Sequence, residues 1–272
     1  MTSPWIAAAL AVFVWWFATG VILVAVRWAD RQADGRQNAA HGLALFGAVP
    51  LLALGAAGVI ASLNDPGLGG VYAGFLGALA IWGWIEMAFL TGIITGPERE
   101  DCPPGLTGAA RFFRAWNTVA HHEIALTLGL LAIVVVSASD TGGTALWTYL
   151  VLYVARISAK LNLFLGAPRI NLEFVPARLV HLKSYFRRGP VTLMFPASIT
   201  ALTFAVGCFT ERLIAADTVA NQVHFMLLAV LSGLALLEHW LMVVPLPDAK
   251  LWRWMLPSPK TIREDEGQKD GL

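Results

Sequence analysis

The stretch "AWNTVAHHEIALTLGLLAIVVV", residues 115–136, sets His121, His122 and Glu123 about one turn inside an apolar run. Burying such groups without partners costs on the order of several kcal/mol, so something must compensate them. Imidazole and carboxylate can ligate a transition metal between facing helices. A single imidazole can be the axial ligand of a tetrapyrrole metal. The same groups can also pair with buried cations and hold helices together. Comparable residues recur in other apolar runs: Glu86 in "WGWIEMAFL", Arg156 and Lys160 in "ARISAKLNL", and Glu238 with His239 in "LLEHWL".

The elements that must position these groups follow from composition. The chain has 272 residues, of which 57% are hydrophobic and 14% charged. A soluble globular domain carries about 25% charged residues, which excludes that class here. Uncharged stretches of about 20 residues are transmembrane candidates. Apolar runs lie at roughly 5–26, 41–62, 71–95, 116–138, 144–166, 190–210 and 221–244. The expected fold is therefore an all-α integral membrane bundle of seven transmembrane helices. The first run has no preceding Lys or Arg and is long for the core of a cleavable signal, so it reads as a span.

Basic residues set the expected orientation. Arg27, Arg31 and Arg36 follow the first span, and Arg99, Arg111 and Arg114 follow the third. Arg169, Arg178, Lys183, Arg187 and Arg188 follow the fifth, and Lys250, Arg253, Lys260, Arg263 and Lys269 follow the seventh. The alternate loops hold only Arg212. This asymmetry predicts the N-terminus outside and the C-terminus in the cytoplasm of a bacterial cytoplasmic membrane. Residues 1–248 read as the membrane domain with a cytoplasmic loop over 167–189. Residues 249–272 read as an interfacial segment, anchored by Trp252 and Trp254, and a polar tail. The two cysteines, Cys102 and Cys208, are expected to form no disulfide. No internal repeat is visible, so an inverted-repeat transporter gains no support.

At about 1.5 Å per residue, Glu86, His122, Arg156, Lys160, Glu238 and His239 all fall roughly 9–15 Å from the basic side. Four helices thus contribute polar groups at similar depth, which predicts one shared layer. Successive helical residues rotate by about 100°, so His121, His122 and Glu123 cannot all face one point. One or two are expected at a central site. His122 shares its face with Thr118, Ala125 and Gly129, small residues suited to close packing. His224 is expected near the outer surface, apart from the layer.

Three roles for the layer stay open: a salt-bridged structural network, a metal site, or a pigment site. The candidate ligands are Glu86, His121, His122, Glu123, Glu238 and His239, with Arg156 and Lys160 as basic partners. The Glu-x-x-His spacing of soluble di-iron bundles is absent. Trp82, Trp84 and Phe89 around Glu86 would suit a flat ring. In the fifth loop, residues 177–188 read as a short amphipathic helix with Leu179, Leu182 and Phe186 on one face. It would lie on lipid or dock a partner through Arg178, Lys183, Tyr185, Arg187 and Arg188.

The stretch "RISAKLNLFLGAPRINLEFVPARLVHLKSYFRRGPVTLMFPASIT", residues 156–200, resembles the hallmark of the PuhE family. "AWNTVAHHEIAL" and the "EHW" at 238–240 extend the resemblance over nearly the whole chain. That family is assigned to assembly of photosynthetic complexes in purple bacteria. The resemblance implies a role in assembling the reaction centre and its antenna, or in modulating bacteriochlorophyll production. Reaction-centre or light-harvesting subunits, other assembly factors and the lipid bilayer would be its partners, and nucleic acid would not. It brings no catalytic residues to transfer. Bacteriochlorophyll or a precursor is then the expected ligand. The competing expectation is a membrane metalloenzyme with a His/Glu-bound transition metal, acting on a tetrapyrrole or carotenoid substrate.

Overall fold

The computed structural model describes residues 3–33, 35–138 and 143–245. Among these residues, seven spans are long and apolar enough to cross a membrane. They are α1 (Pro4–Asp30), the pair α2 (Gln37–Gly47) and α3 (Val49–Ser62), α4 (Leu68–Leu90), α5 (Gly108–Val136), α6 (Thr144–Leu165), α7 (Met194–Ile214) and α8 (Val219–Leu241). Large apolar side chains face outward, with Leu128 60% and Phe204 74% exposed, while Glu86, His122, Glu123 and His239 lie inside. That inversion of the soluble pattern suits a hydrocarbon solvent. The expected tail segment and the loop at 139–142 lie outside the described residues.

The second span is two helices rather than the single run expected. Pro50 opens α3, and its missing N–H and ring clash break the helix just after Gly47. The third span also stops earlier than its apolar run, at Leu90. Residues beyond it turn back along the bundle, starting at Gly92, whose φ of 72° favours glycine.

The centre of the bundle is α4, which touches α1, α3, α5, α6 and α8. Small residues bring α3 against it. A Cβ on Gly77 would lie 2.7 Å from the Gly55 carbonyl, and one on Gly55 would lie 2.9 Å from Ala80 Cβ. Backbones can pack this closely only where side chains are absent or small. On the other side, α7 and α8 form an antiparallel hairpin, and the Thr218 hydroxyl caps α8 by accepting from Asn221 N–H at 3.2 Å.

The segments after α4 and α6 position the polar groups. The His122 N–H donates to Thr95 O at 3.0 Å, and Glu98 N–H donates to Asn117 O at 3.2 Å. The backbone of residues 95–98 therefore lies directly on α5. A Cβ on Gly96 would run into the Asn117 carbonyl. After α6, Ala167 and Arg188 form a short parallel bridge that closes the intervening loop into a strap. Arg169 N–H ties it to Met242 O at 3.0 Å, at the end of α8.

Within that strap, Ala177–Tyr185 is a 3-10 helix. Its three-residue period places Leu179, Leu182 and Tyr185 on the buried face, with Phe186 only half-buried. The amphipathic α-helix expected from the sequence put Phe186 in the third position. The tighter period moves that role to Tyr185. The strap packs on Phe89, Leu90 and Val119, so it forms a floor of the bundle.

Candidate functional site

Helix geometry separates the polar residues into distinct clusters. On α6, Arg156 and Lys160 are four residues apart and share one face. Ser158 and Asn162 are also four apart, but two residues along a helix is a turn of about 200°, so they look the opposite way.

The first cluster joins α4, α5 and α6. Arg156 donates to Glu86 Oε2 at 2.7 Å. Lys160 pairs with Glu123 Oε1. His122 is fully buried, with Nε2 3.6 Å from Glu86 Oε1, beyond hydrogen-bond length. Phe89 sits among them, with its ring edge-on to His122 at 4.3 Å and facing Lys160 Nζ at 5.3 Å. Several buried polar atoms here have no hydrogen-bond partner: Glu86 Oε1, Glu123 Oε2, Arg156 Nε and both ring nitrogens of His122.

The second cluster joins α6 to α7 and α8. His239 is fully buried, with Nδ1 2.8 Å from Ala235 O and Nε2 2.7 Å from Ser158 Oγ. A carbonyl only accepts, so Nδ1 carries the proton and a neutral ring accepts at Nε2. Asn162 donates to Ser198 Oγ on α7 at 3.0 Å. Sequence reasoning passed over Ser158, Asn162 and Ser198, although the i, i+4 spacing of Ser158 and Asn162 was a usable signal.

The single layer expected from depth is thus divided. Glu238 lies on the outer surface of the bundle, and Trp15 Nε1 of α1 donates to it at 2.9 Å. His121 is exposed on the outside of α5, while His122 and Glu123 turn inward. Among the described residues, no three His, Cys, Asp or Glu side chains gather as a metal-binding set. Trp82 packs edge-on to Tyr149 at 5.2 Å, and Trp84 donates to Leu45 O at 3.3 Å, so of the three expected aromatics only Phe89 belongs to the cluster. His224 is buried, and its Nδ1 lies 2.7 Å from Thr144 Oγ1, which ties α8 to the start of α6.

Beside the first cluster, a cleft of about 200 Å³ opens between α5 and α6. Glu123, Arg156 and Lys160 line it, with Phe89, Phe112, Trp116, Phe164, Tyr185 and Phe186 supplying aromatic walls. Arg111 stacks on Phe164 at 4.2 Å and donates to Tyr185 O at 2.6 Å, which fixes the basic end of the cleft. Sequence reasoning did not bring these aromatics together, because they come from three helices and the strap.

The five loop residues expected at a docking surface also divide. Arg178 turns inward, donating to Thr91 O at 3.3 Å and bonding Asn38 Oδ1. Tyr185 is buried, and its hydroxyl donates to Glu100 O at 3.1 Å. Burial pushes that phenol above its ordinary range. Lys183 is half-buried, and Arg187 and Arg188 are exposed. Nearby His181 is half-buried with no partner at Nε2, and burial holds its imidazole below the ordinary range against the opposing pull of Asp101.

No solved structure matches the chain. A relative from Rhodobacter capsulatus, described as an uncharacterized 30.4 kDa protein in the puhA 5' region, is 48% identical over 258 residues. That alignment covers 95% of this chain and 93% of the relative. The family DUF3623, described as a protein of unknown function, matches residues 1–263. The chain therefore belongs to the DUF3623 family.

Proposed function

We propose that this chain is a multi-pass membrane factor for building the photosynthetic reaction centre and its light-harvesting antenna, as its resemblance to the PuhE family implies. The observation that carries the reading is the relative, 48% identical, whose description places it in the puhA 5' region. In this reading the N-terminus is outside the bacterial cytoplasmic membrane and the basic end faces the cytoplasm. Lys183, Arg187 and Arg188 stay available there for a reaction-centre or antenna subunit or another assembly factor.

The α5–α6 cleft is the place for a hydrophobic ligand, bacteriochlorophyll or a precursor. Its volume of about 200 Å³ is below the roughly 300–1,000 Å³ of pockets that enclose drug-sized ligands. A macrocycle would therefore lie across the mouth, with only its chain or one edge entering. His122 is sealed behind Phe89 and Glu86, so recognition falls to the cleft-lining residues rather than to an axial imidazole. The acids and bases of the cluster are paired at contact distance, which favours binding over catalysis.

Two measurements test this. Deleting the gene in its host is expected to lower reaction-centre and antenna absorption, and unchanged levels would overturn the role. Protein purified from that host in mild detergent is expected to carry chlorin bands that an Ala115→Trp variant loses. Stoichiometric iron, manganese or zinc, lost in His122→Ala, would instead establish the metalloenzyme reading through Glu86 and His122.

A further inference from the structure

We infer that the α5–α6 cleft selects an uncharged amphiphile, an apolar chain ending in a hydroxyl or carbonyl, and rejects the same chain ending in a carboxylate. The inference rests on the cleft being a ligand site, and not on the photosynthetic role.

Charge balance comes first. Glu86 is paired with Arg156, and Glu123 with Lys160. Wherever the proton sits within each acid–base pair, the pair sums to zero. His122 is fully buried with no acceptor on either ring nitrogen, a setting in which an imidazolium would be costly. The cluster is therefore neutral as it stands. An incoming anion would add an uncompensated charge in a poorly solvated site, which costs far more than a neutral polar group there.

The unpartnered atoms then define what a neutral head must offer. Glu123 and Arg156 line the cleft, and Glu123 Oε2 and Arg156 Nε are buried without hydrogen bonds. One is an acceptor and the other a donor. Buried groups of this kind normally have partners, and both atoms are covered, so a bound head pairs with them once the Glu123 and Arg156 side chains turn toward the cleft. A hydroxyl can donate to the first and accept from the second, and a carbonyl can accept from the second. A carboxylate could only accept, and would face Glu123 Oε2 with like charge. The remaining wall is apolar and aromatic, which suits a hydrocarbon chain.

The test uses the full chain in lipid nanodiscs, with tritiated farnesol and tritiated farnesoate as probes that share one chain and differ in head charge. Binding is read at pH 8 after subtracting protein-free discs. Farnesol is expected to bind at least about tenfold more tightly than farnesoate, a difference of about 1.4 kcal/mol. Ala115→Trp, which fills the cleft without touching the cluster, is expected to abolish saturable binding of both. Glu123→Gln makes the cluster positive and is expected to reverse the preference. If that variant does not fold, Lys160→Met, which makes it negative, is expected to widen the preference for farnesol. Equal or tighter farnesoate binding to the wild type, no saturable binding of either probe, an unreversed order in Glu123→Gln or, where Lys160→Met replaces it, a preference for farnesol that does not widen would each overturn the inference. Because these readings are made on purified protein, they fail separately from the host phenotype.

Discussion

His122 of α5 and His239 of α8 are both fully buried in this bundle, toward opposite faces of α6, yet they are treated in opposite ways. His239 has both nitrogens engaged, with Ala235 O and Ser158 Oγ, so its tautomer and rotation are set. His122 has neither engaged, and Glu86 Oε1 is 3.6 Å from its Nε2. One histidine is a finished tie between helices. The other belongs to a cluster with unfilled hydrogen-bonding capacity beside an open cleft. Burial alone therefore does not identify a functional polar group in a membrane protein. What distinguishes the candidate site is burial without local satisfaction, next to space.

The strongest loss should come from breaking the charged side. Glu123→Ala leaves Lys160 uncompensated and should destabilise the bundle by about 3–5 kcal/mol, read by unfolding in detergent. Replacing both as Glu123→Met with Lys160→Met should recover most of that loss. A harmless single variant would mean the pair contributes nothing to the fold.

A smaller effect tests the histidines directly. His239→Leu loses the bonds to Ser158 Oγ and Ala235 O, with Ser158 Oγ keeping only Ala155 O at 3.0 Å, and should cost about 1–3 kcal/mol, whereas His122→Leu forfeits no hydrogen bond and should cost less than about 1.5 kcal/mol. Equal losses would erase the contrast. Gly96→Ala works on the same side of the molecule by lifting residues 95–98 off α5. It should cost about 1–3 kcal/mol as overpacking and disturb the cleft, measured as lost chlorin or probe binding.

The mildest effect concerns the boundary of the site, at the strap that covers Phe89. His181 is held below its ordinary range by burial, with Asp101 and Glu98 opposing and Arg99 assisting. Its neutral form therefore favours the folded strap. That contribution is fully present above the unfolded value of about 6.5 and is lost as pH falls through the folded value. The protection factors of amides in residues 177–185, taken relative to the intrinsic exchange rate at each pH, should fall between pH 7.5 and 5.5, and His181→Gln should flatten that dependence. A strap equally protected at both pH values in the wild type would contradict it.

The seven runs are legible in the chain because they are properties of local sequence. The identity of partners is less so. Glu238 and His239 are adjacent in the chain and share an estimated depth, yet one meets Trp15 at the outer surface and the other Ser158 inside. The strap is legible as amphipathic, but a 3-10 period replaces Phe186 with Tyr185 on its buried face.

Local sequence alone dictates a helical bundle of seven apolar spans, because hydrocarbon demands that each spanning segment satisfy its own backbone. It also fixes how far along its helix each ionisable group lies, since rise per residue is fixed. Which of those groups meet is settled only by packing in three dimensions. A change of about 100° per residue sends neighbours to different helices, and the rotation of each helix is set by distant contacts, such as Gly77 on Gly55 and Gly96 on Asn117. That packing separates a saturated His239 from an unsaturated His122 and opens the cleft beside the latter.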